Sequence, residues 1–149
     1  MKTYQSPMPE ITLKYKKGET KKVKIASSMD SYNLFMEFYD QDTIEVNESV
    51  IILYLNAANN TIGWQKHSSG GMTQTVIDIR MIMVTALQCG ASSIILSHNH
   101  PSGTLRASEE DKTITRRVKE AGKTLCINLL DHIIVTPDSY YSFSDEGML

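Results

Sequence analysis

The sequence predicts an α/β domain in which a mixed central β-sheet is flanked by helices. Three observations lead there. Short runs rich in β-branched residues alternate with stretches of helical period over most of the chain; glycines and turn residues mark the changes of period; and 149 residues with 41% hydrophobic content can bury one core without disulfide or metal staples. A metal held by such a chain is then expected to do chemistry rather than to hold the fold.

Residues 1–10 contain Pro7 and Pro9 without periodicity and read as a loose leader. Apolar residues alternate through Ile11-Thr-Leu13-Lys-Tyr15 and again through Val23-Lys-Ile25, on either side of a turn at Gly18, which predicts a β-hairpin. From Ser28 to about Tyr39, Leu34, Phe35 and Phe38 recur at helical spacing behind a Ser/Asp start. Ser-Val-Ile-Ile-Leu-Tyr-Leu55 then has the composition of a buried strand, Asn56 to Asn60 supplies turn chemistry, and Thr61 to about Ser68 reads as the partner strand.

Beyond the break at Gly70-Gly71, Thr75 to Cys89 is apolar on nearly every side and predicts a largely buried helix that stops at Gly90. Ser92 to Ser97 reads as a short strand, and His98 to Ala107, with Pro101 and Gly103, as a loop. A helix follows from Ser108 to near Gly122, and Leu125 to Val135 and Tyr140 to Phe143 are expected as the last strands. The chain shows no internal repeat.

Composition narrows the function. A net charge of −2 offers no global attraction to nucleic acid, so DNA binding is left unsupported. Charge is unevenly placed: residues 14–24 hold six Lys and one Glu, whereas 26–63 hold six acidic residues and no Lys or Arg. Such a run on a hairpin is a solvated face or a polyanion contact. Cys89 and Cys126 lie far apart, without metal-ligand spacing, and are expected as two ordinary buried thiols in a reducing compartment. No apolar run approaches the roughly 20 residues that span a bilayer, and no secretory signal is apparent, so the expected address is the cytoplasm, with no membrane partner.

The chemistry-bearing residues lie between the predicted strand and the helix after it. His98 and His100 are one residue apart, so in extended geometry both imidazoles project from one face. Asp111 follows in the first turn of the next helix, where its carboxylate can complete a His₂Asp set. Three protein ligands leave a fourth tetrahedral position for water, as expected of a catalytic zinc. Ser108-x-x-Asp111 also reads as a capping box. The two roles are compatible, because a cap explains neither the His-x-His pair nor its place directly upstream.

His98-x-His100, seven residues, Ser108, two residues and Asp111 together resemble the JAMM motif of JAB/MPN-domain metalloproteases. Leu96-Ser-His-Asn-His-Pro-Ser-Gly103, Ser108-Glu-Glu-Asp111 and Leu130-Asp-His-Ile-Ile-Val135 are similar to its bacterial RadC-like branch. The likeness covers roughly residues 28–149. It implies a layered sandwich of the cytidine-deaminase-like kind, with residues 1–26 as leader and lysine-rich hairpin and 27–149 as the RadC-like JAB/MPN domain. It also implies a glutamate at the start of a strand as general base. Glu48 matches by its strand context; Glu45 is the nearby alternative.

The chemistry so implied is zinc-assisted hydrolysis of a protein or peptide. Glu48 would take a proton from the zinc-held water and pass it to the leaving group, and the Ser108 hydroxyl would stabilise the oxyanion. Asp131-His132 admits two readings, a pair that orients a ligand or a structural pair, and is left out of the catalytic set. His67 is expected on the surface of its strand, and Arg80 is expected to reach solvent or pair locally.

Two departures from the family pattern stand out. RadC-like proteins carry an N-terminal helix-hairpin-helix region, which suggests DNA contact and for which these residues leave no room; the Pro-Arg-Glu start of the helix before the His motif appears here as Asp78-Ile-Arg80-Met. The first weakens an inherited role in DNA repair. The second spares the ligands and bears on substrate approach. The leading expectation is a zinc peptidase or isopeptidase; the alternatives are a DNA-repair-associated binding module and a metal-dependent nuclease. A zinc nucleobase deaminase is excluded, since neither His-x-Glu nor Pro-Cys-x-x-Cys occurs. Oligomeric state is not encoded legibly.

Overall fold

Side-chain alternation sorts the central strand onto two faces, and both must be covered. In β1 (Ser49–Leu55), Val50, Ile52 and Tyr54 point one way and Ile51, Leu53 and Leu55 the other, and all six are buried. The computed structural model, which describes residues 8–9, 22–69 and 76–149, supplies that cover with helices on both sides. It thus has the α/β architecture with a mixed sheet that the sequence predicts.

The chain enters through α1 (Ser28–Phe38), whose start is fixed by Ser27 and Asp30 acting as a reciprocal cap. After β1, an asparagine-rich turn leads to β2 (Thr61–Ser69), then α2 (Ile79–Gln88), β3 (Ser93–Asn99), α3 (Glu109–Thr124), β4 (Asn128–Val135) and β5 (Tyr140–Ser142). The sheet order is β2-β1-β3-β4-β5, antiparallel throughout except for the parallel pair β3/β4, which α3 connects. Phe35 of α1 packs on Ile51, Leu53, Ile95 and Ile133, while Ile82 and Ala86 of α2 and Val118 of α3 pack on Val50, Ile52, Ile94 and Leu96.

This topology places the carboxyl end of β3, the amino end of β1 and the N-terminus of α3 at one end of the sheet. In open α/β sheets that is where ligands bind.

The β3/β4 pairing contains an irregularity with a consequence for the site. Ile94 pairs with Leu129 but Ile95 pairs with Asp131, so Leu130 is an extra residue in β4. Because strand faces alternate with period two, one inserted residue inverts everything after it. His132 therefore pairs with Leu96 and faces the side of the sheet that carries His98; in a regular strand it would face α1.

Several sequence expectations need correction. The helix expected from Thr75 begins at Ile79; Thr75 itself lies outside the described residues. Asp78, in extended conformation, is the cap, accepting from the amides of Arg80 and Met81. That helix is also not buried all round, because a helix lying on a sheet covers one stripe: Ile82, Met83 and Ala86 are buried while Met81, Val84 and Leu87 are about half exposed.

β3 runs on to Asn99, so His98 belongs to the strand and not to the loop. β4 starts at Asn128 because Leu125 to Ile127 close α3: Cys126 adopts φ +58, its amide donates to the Lys123 carbonyl, and the Ile127 amide donates to the Gly122 carbonyl at 2.8 Å. This left-handed turn leaves Cys126 exposed and Cys89 is half-buried, so neither is the buried thiol expected. Most of the N-terminal hairpin lies outside the described residues; Val23 to Ile25 run beside the start of β2, through the Ile25 amide on Asn59 and the Thr61 amide on Val23.

Candidate metal centre

His98, the sixth residue of β3, projects toward the helices α2 and α3 along with Ile94 and Leu96. His100, two residues on, shares that side at the mouth of the loop, and its ring edge meets the His98 ring with centroids 4.7 Å apart. The loop turns back at once: the Gly103 amide donates to the His100 carbonyl, and Gly103 takes φ +80, which glycine adopts without strain. It ends at Ser108, the cap of α3. There the Asp111 amide donates to Ser108 Oγ at 3.0 Å, and the Ser108 amide donates to Asp111 Oδ2 at 2.9 Å.

This cap aims the Asp111 carboxylate at the two rings. His98 Nε2 lies 3.2 Å from Asp111 Oδ1, His100 Nε2 lies 3.3 Å from Asp111 Oδ2, and the two Nε2 atoms are 2.8 Å apart. One donor atom from each residue thus falls within 4.8 Å of the others. His100 Nδ1 donates to the Thr104 carbonyl at 2.7 Å, so a neutral His100 ring keeps its lone pair at Nε2. Electron pairs converging this closely repel one another unless positive charge lies among them. Two imidazole nitrogens and one carboxylate, with room for a further ligand, are the donor set of a catalytic divalent site.

The titration behaviour follows from the same geometry. Burial raises the pKa of Asp111, but both imidazoles and the Ser108 amide outweigh it and hold the carboxyl far below the usual range. Burial lowers that of His100, yet its bonds to Asp111 and to the Thr104 carbonyl, with the charge of Glu48, raise it above the ordinary value. A proton is thereby favoured where the cation would sit.

The three residues line a cavity of about 570 Å³ together with Glu48 and Ser108. Val50 pairs with His98 across the antiparallel strands, and Glu48, two residues before Val50, is near enough for its charge to act on His100. All five site residues read from the sequence thus lie at one cavity. Glu45 is exposed and does not line it. Arg80 reaches solvent as expected, whereas His67 is half-buried, its Nε2 accepting the Asp78 amide at 2.8 Å at the start of α2.

Two residues that sequence reasoning passed over, Asn99 and Thr115, and one that it weighed without assigning, His132, also shape the site. Asn99, between the two histidines, points away from them and is buried: its oxygen accepts the Ser49 amide at 2.7 Å, and its NH₂ donates to the carbonyls of Ile44 and Asn47. His132 is fully buried, with Nε2 2.7 Å from His98 Nδ1 and Nδ1 2.6 Å from Thr115 Oγ1. Burial, together with the neighbouring His98, pushes its pKa well below the ordinary value, so the ring is neutral. Thr115, one turn after Asp111 on the same face of α3, was signalled by its spacing; the role of His132 depends on the extra residue in β4, which has no sequence signature.

Comparison with known proteins gives the family of the chain. The family model of the RadC-like JAB domain matches residues 25–148. A protein of Flavobacterium johnsoniae called UPF0758 protein is 40% identical over 125 residues, 84% of this chain and 53% of its own length. Namesakes in Porphyromonas gingivalis and Aquifex aeolicus are 46% and 31% identical over 68% and 94% of this chain, and over 45% and 58% of their own lengths. The chain spans about half the length of these curated relatives. With the motif residues gathered at one cavity of a mixed sheet and the family model matched across nearly all of the chain, the protein belongs to the RadC-like JAB-domain family.

Proposed function

We propose that this chain is a zinc-dependent metallohydrolase of peptidase or isopeptidase type, acting on a protein or peptide. The observation that carries the reading is the convergence of His98 Nε2, His100 Nε2 and the Asp111 carboxylate in a cavity that Glu48 and Ser108 also line. A zinc ion held by these three would supply Lewis acidity and favour deprotonation of the attacking water near neutral pH.

The remaining work falls to the protein. The Glu48 carboxylate takes the proton of the attacking water and delivers it to the leaving nitrogen. Ser108 Oγ accepts the Asp111 amide, which leaves its own proton to donate to the oxyanion. Asp111 stays ionised, since its pKa lies far below neutrality.

An amide suits this site better than a phosphodiester. Phosphodiesterases commonly use two ions about 3.5–4 Å apart, and among the described residues a single group of His, Cys, Asp and Glu side chains is arranged to hold one. The cytoplasmic address belongs to the same proposal: Cys89 and Cys126 are both unpaired, and no described helix is long and apolar enough to cross a membrane.

The test is oxygen-18 incorporation. Zinc-loaded protein is incubated in H₂¹⁸O with a mixture of peptides and of isopeptides linked through lysine Nε, and new carboxylates are read by mass spectrometry. Label is expected with wild type and not with Glu48→Gln. No label with wild type, or equal label with both, would contradict the proposal.

A further inference from the structure

Behind the ligand atoms, His132 and Thr115 carry a line of hydrogen bonds from the His98 ring to the backbone of Asp111, and the bond of Thr115 to a carbonyl sets the order of the rest. Thr115 Oγ1 lies 2.6 Å from the main-chain oxygen of Asp111, and a carbonyl only accepts, so the single hydroxyl proton is committed there. The second contact of Thr115 Oγ1, to His132 Nδ1 at 2.6 Å, must therefore be donated by His132. A neutral ring with its proton on Nδ1 has a lone pair on Nε2. The 2.7 Å contact from there to His98 Nδ1 is consequently donated by His98. With its proton on Nδ1, His98 presents a lone pair at Nε2, the atom that faces Asp111 and His100.

We infer that His132 and Thr115 are positioning residues that fix the tautomer and ring orientation of His98 for metal binding, and that they tie β3 to α3 by ending on the backbone of Asp111. The inference rests on the proposed metal site, but the proton order is a property of the metal-free protein.

Three further observations support it. The extra residue Leu130 is what turns His132 toward His98 at all. Phe143 stacks on the His132 ring, with centroids 4.7 Å apart and planes 10° from parallel, and its amide donates to the His132 carbonyl, so ring plane and backbone are both held. And His98, His132 and Thr115 are at most 2% exposed. A buried polar line is costly unless every member is bonded, and this one joins two of the three ligands. Partners of this kind fix which nitrogen of a ligand histidine carries the proton, and their loss commonly weakens metal binding about 10–100-fold.

The experiment has two readouts. In metal-free wild type, long-range ¹H–¹⁵N correlation spectra assign histidine tautomers; both His98 and His132 are expected as the Nδ1–H form. Zinc affinity is then measured against a chromophoric chelator for Thr115→Val, which keeps shape and removes the hydroxyl, and for Thr115→Ser, which restores it. Thr115→Val is expected to bind about 10–100-fold more weakly and Thr115→Ser to return near wild type. An Nε2–H form of either histidine, or wild-type affinity in Thr115→Val, overturns the inference. Zinc binding without hydrolysis would count against the proposed activity only; a wild type that binds no zinc would sink the metallohydrolase reading and overturn the inferred role in metal binding, while the spectra still decide the proton order.

Discussion

The side chain of Asn99 grips the backbone of Ser49: its oxygen accepts the Ser49 amide at 2.7 Å while its NH₂ donates to the Asn47 carbonyl at 2.8 Å. Glu48 is thus held from both sides by the residue that separates the two candidate ligand histidines. The strand carrying His98 and the segment carrying the proposed base are fastened together by one buried amide.

Asn99→Ala would remove three hydrogen bonds and leave the amide of Ser49 and the carbonyls of Ile44 and Asn47 without this partner. An unfolding free energy lower by about 3 kcal/mol is expected in denaturant titrations, since each buried group left unsatisfied costs roughly 1–3 kcal/mol. Zinc content should be retained and hydrolysis should fall, because Asn99 touches no ligand side chain. Loss of zinc in this variant would show that the segment before β1 helps to build the site.

Ser108→Ala separates the two roles of the cap. The side chain accepts the Asp111 amide, but the Asp111 carboxylate is held by the Ser108 backbone amide, which the substitution keeps. Stability should drop by about 1 kcal/mol, as for other lost N-caps, with zinc content unchanged. A variant that lost its metal would place the hydroxyl among the groups that hold Asp111.

The pH dependence of the metal-free protein has two flanks. His100 is raised above its ordinary 6.5, so its contribution is fully present below about 6.5 and is lost as pH rises through the folded-state value. His132 and His67 are lowered by burial, so theirs is present above about 6.5 and is lost as pH falls through their folded-state values. Thermal midpoints of the apo-protein should therefore peak near pH 6.5, and His100→Gln should flatten the limb above it. A midpoint that climbs between pH 6.5 and 8 would speak against the raised His100.

Gly122 has no room for a side chain. A Cβ there would lie 2.3 Å from the Ile127 carbonyl oxygen, and the obstacle is backbone that closes α3 and starts β4. Gly122→Ala should cost about 1–3 kcal/mol, the range for overpacking, read as a lowered midpoint in urea. An unchanged midpoint would mean that this turn is free to shift.

The sequence made the elements legible wherever one face or one cap dominates. Val50 to Leu55 has the composition of a buried strand, the Ser/Asp start placed the first helix at Ser28, one residue after its cap, and Ser108 with Asp111 announces the start of α3. His98 near the end of a strand, His100 two residues on and Asp111 in a first helical turn were readable for the same reason. What stayed hidden depends on register and on main-chain atoms. The bulge at Leu130 decides which way His132 faces, the Thr104 carbonyl fixes the His100 tautomer, and Asn99 acts through backbone on another strand. Exposure was misjudged for α2 and for Cys126, because apolar composition does not say how much sheet lies beneath a helix, nor which way a left-handed turn points.

Elemental analysis of protein purified without chelators, comparing wild type with His100→Ala and Glu48→Gln, tests the metal centre most directly. About one zinc per chain is expected in wild type and in Glu48→Gln, with little in His100→Ala, because Glu48 is assigned to proton transfer and His100 to the ion. A wild-type chain that holds no metal, or a His100→Ala chain that holds as much as wild type, would contradict the account.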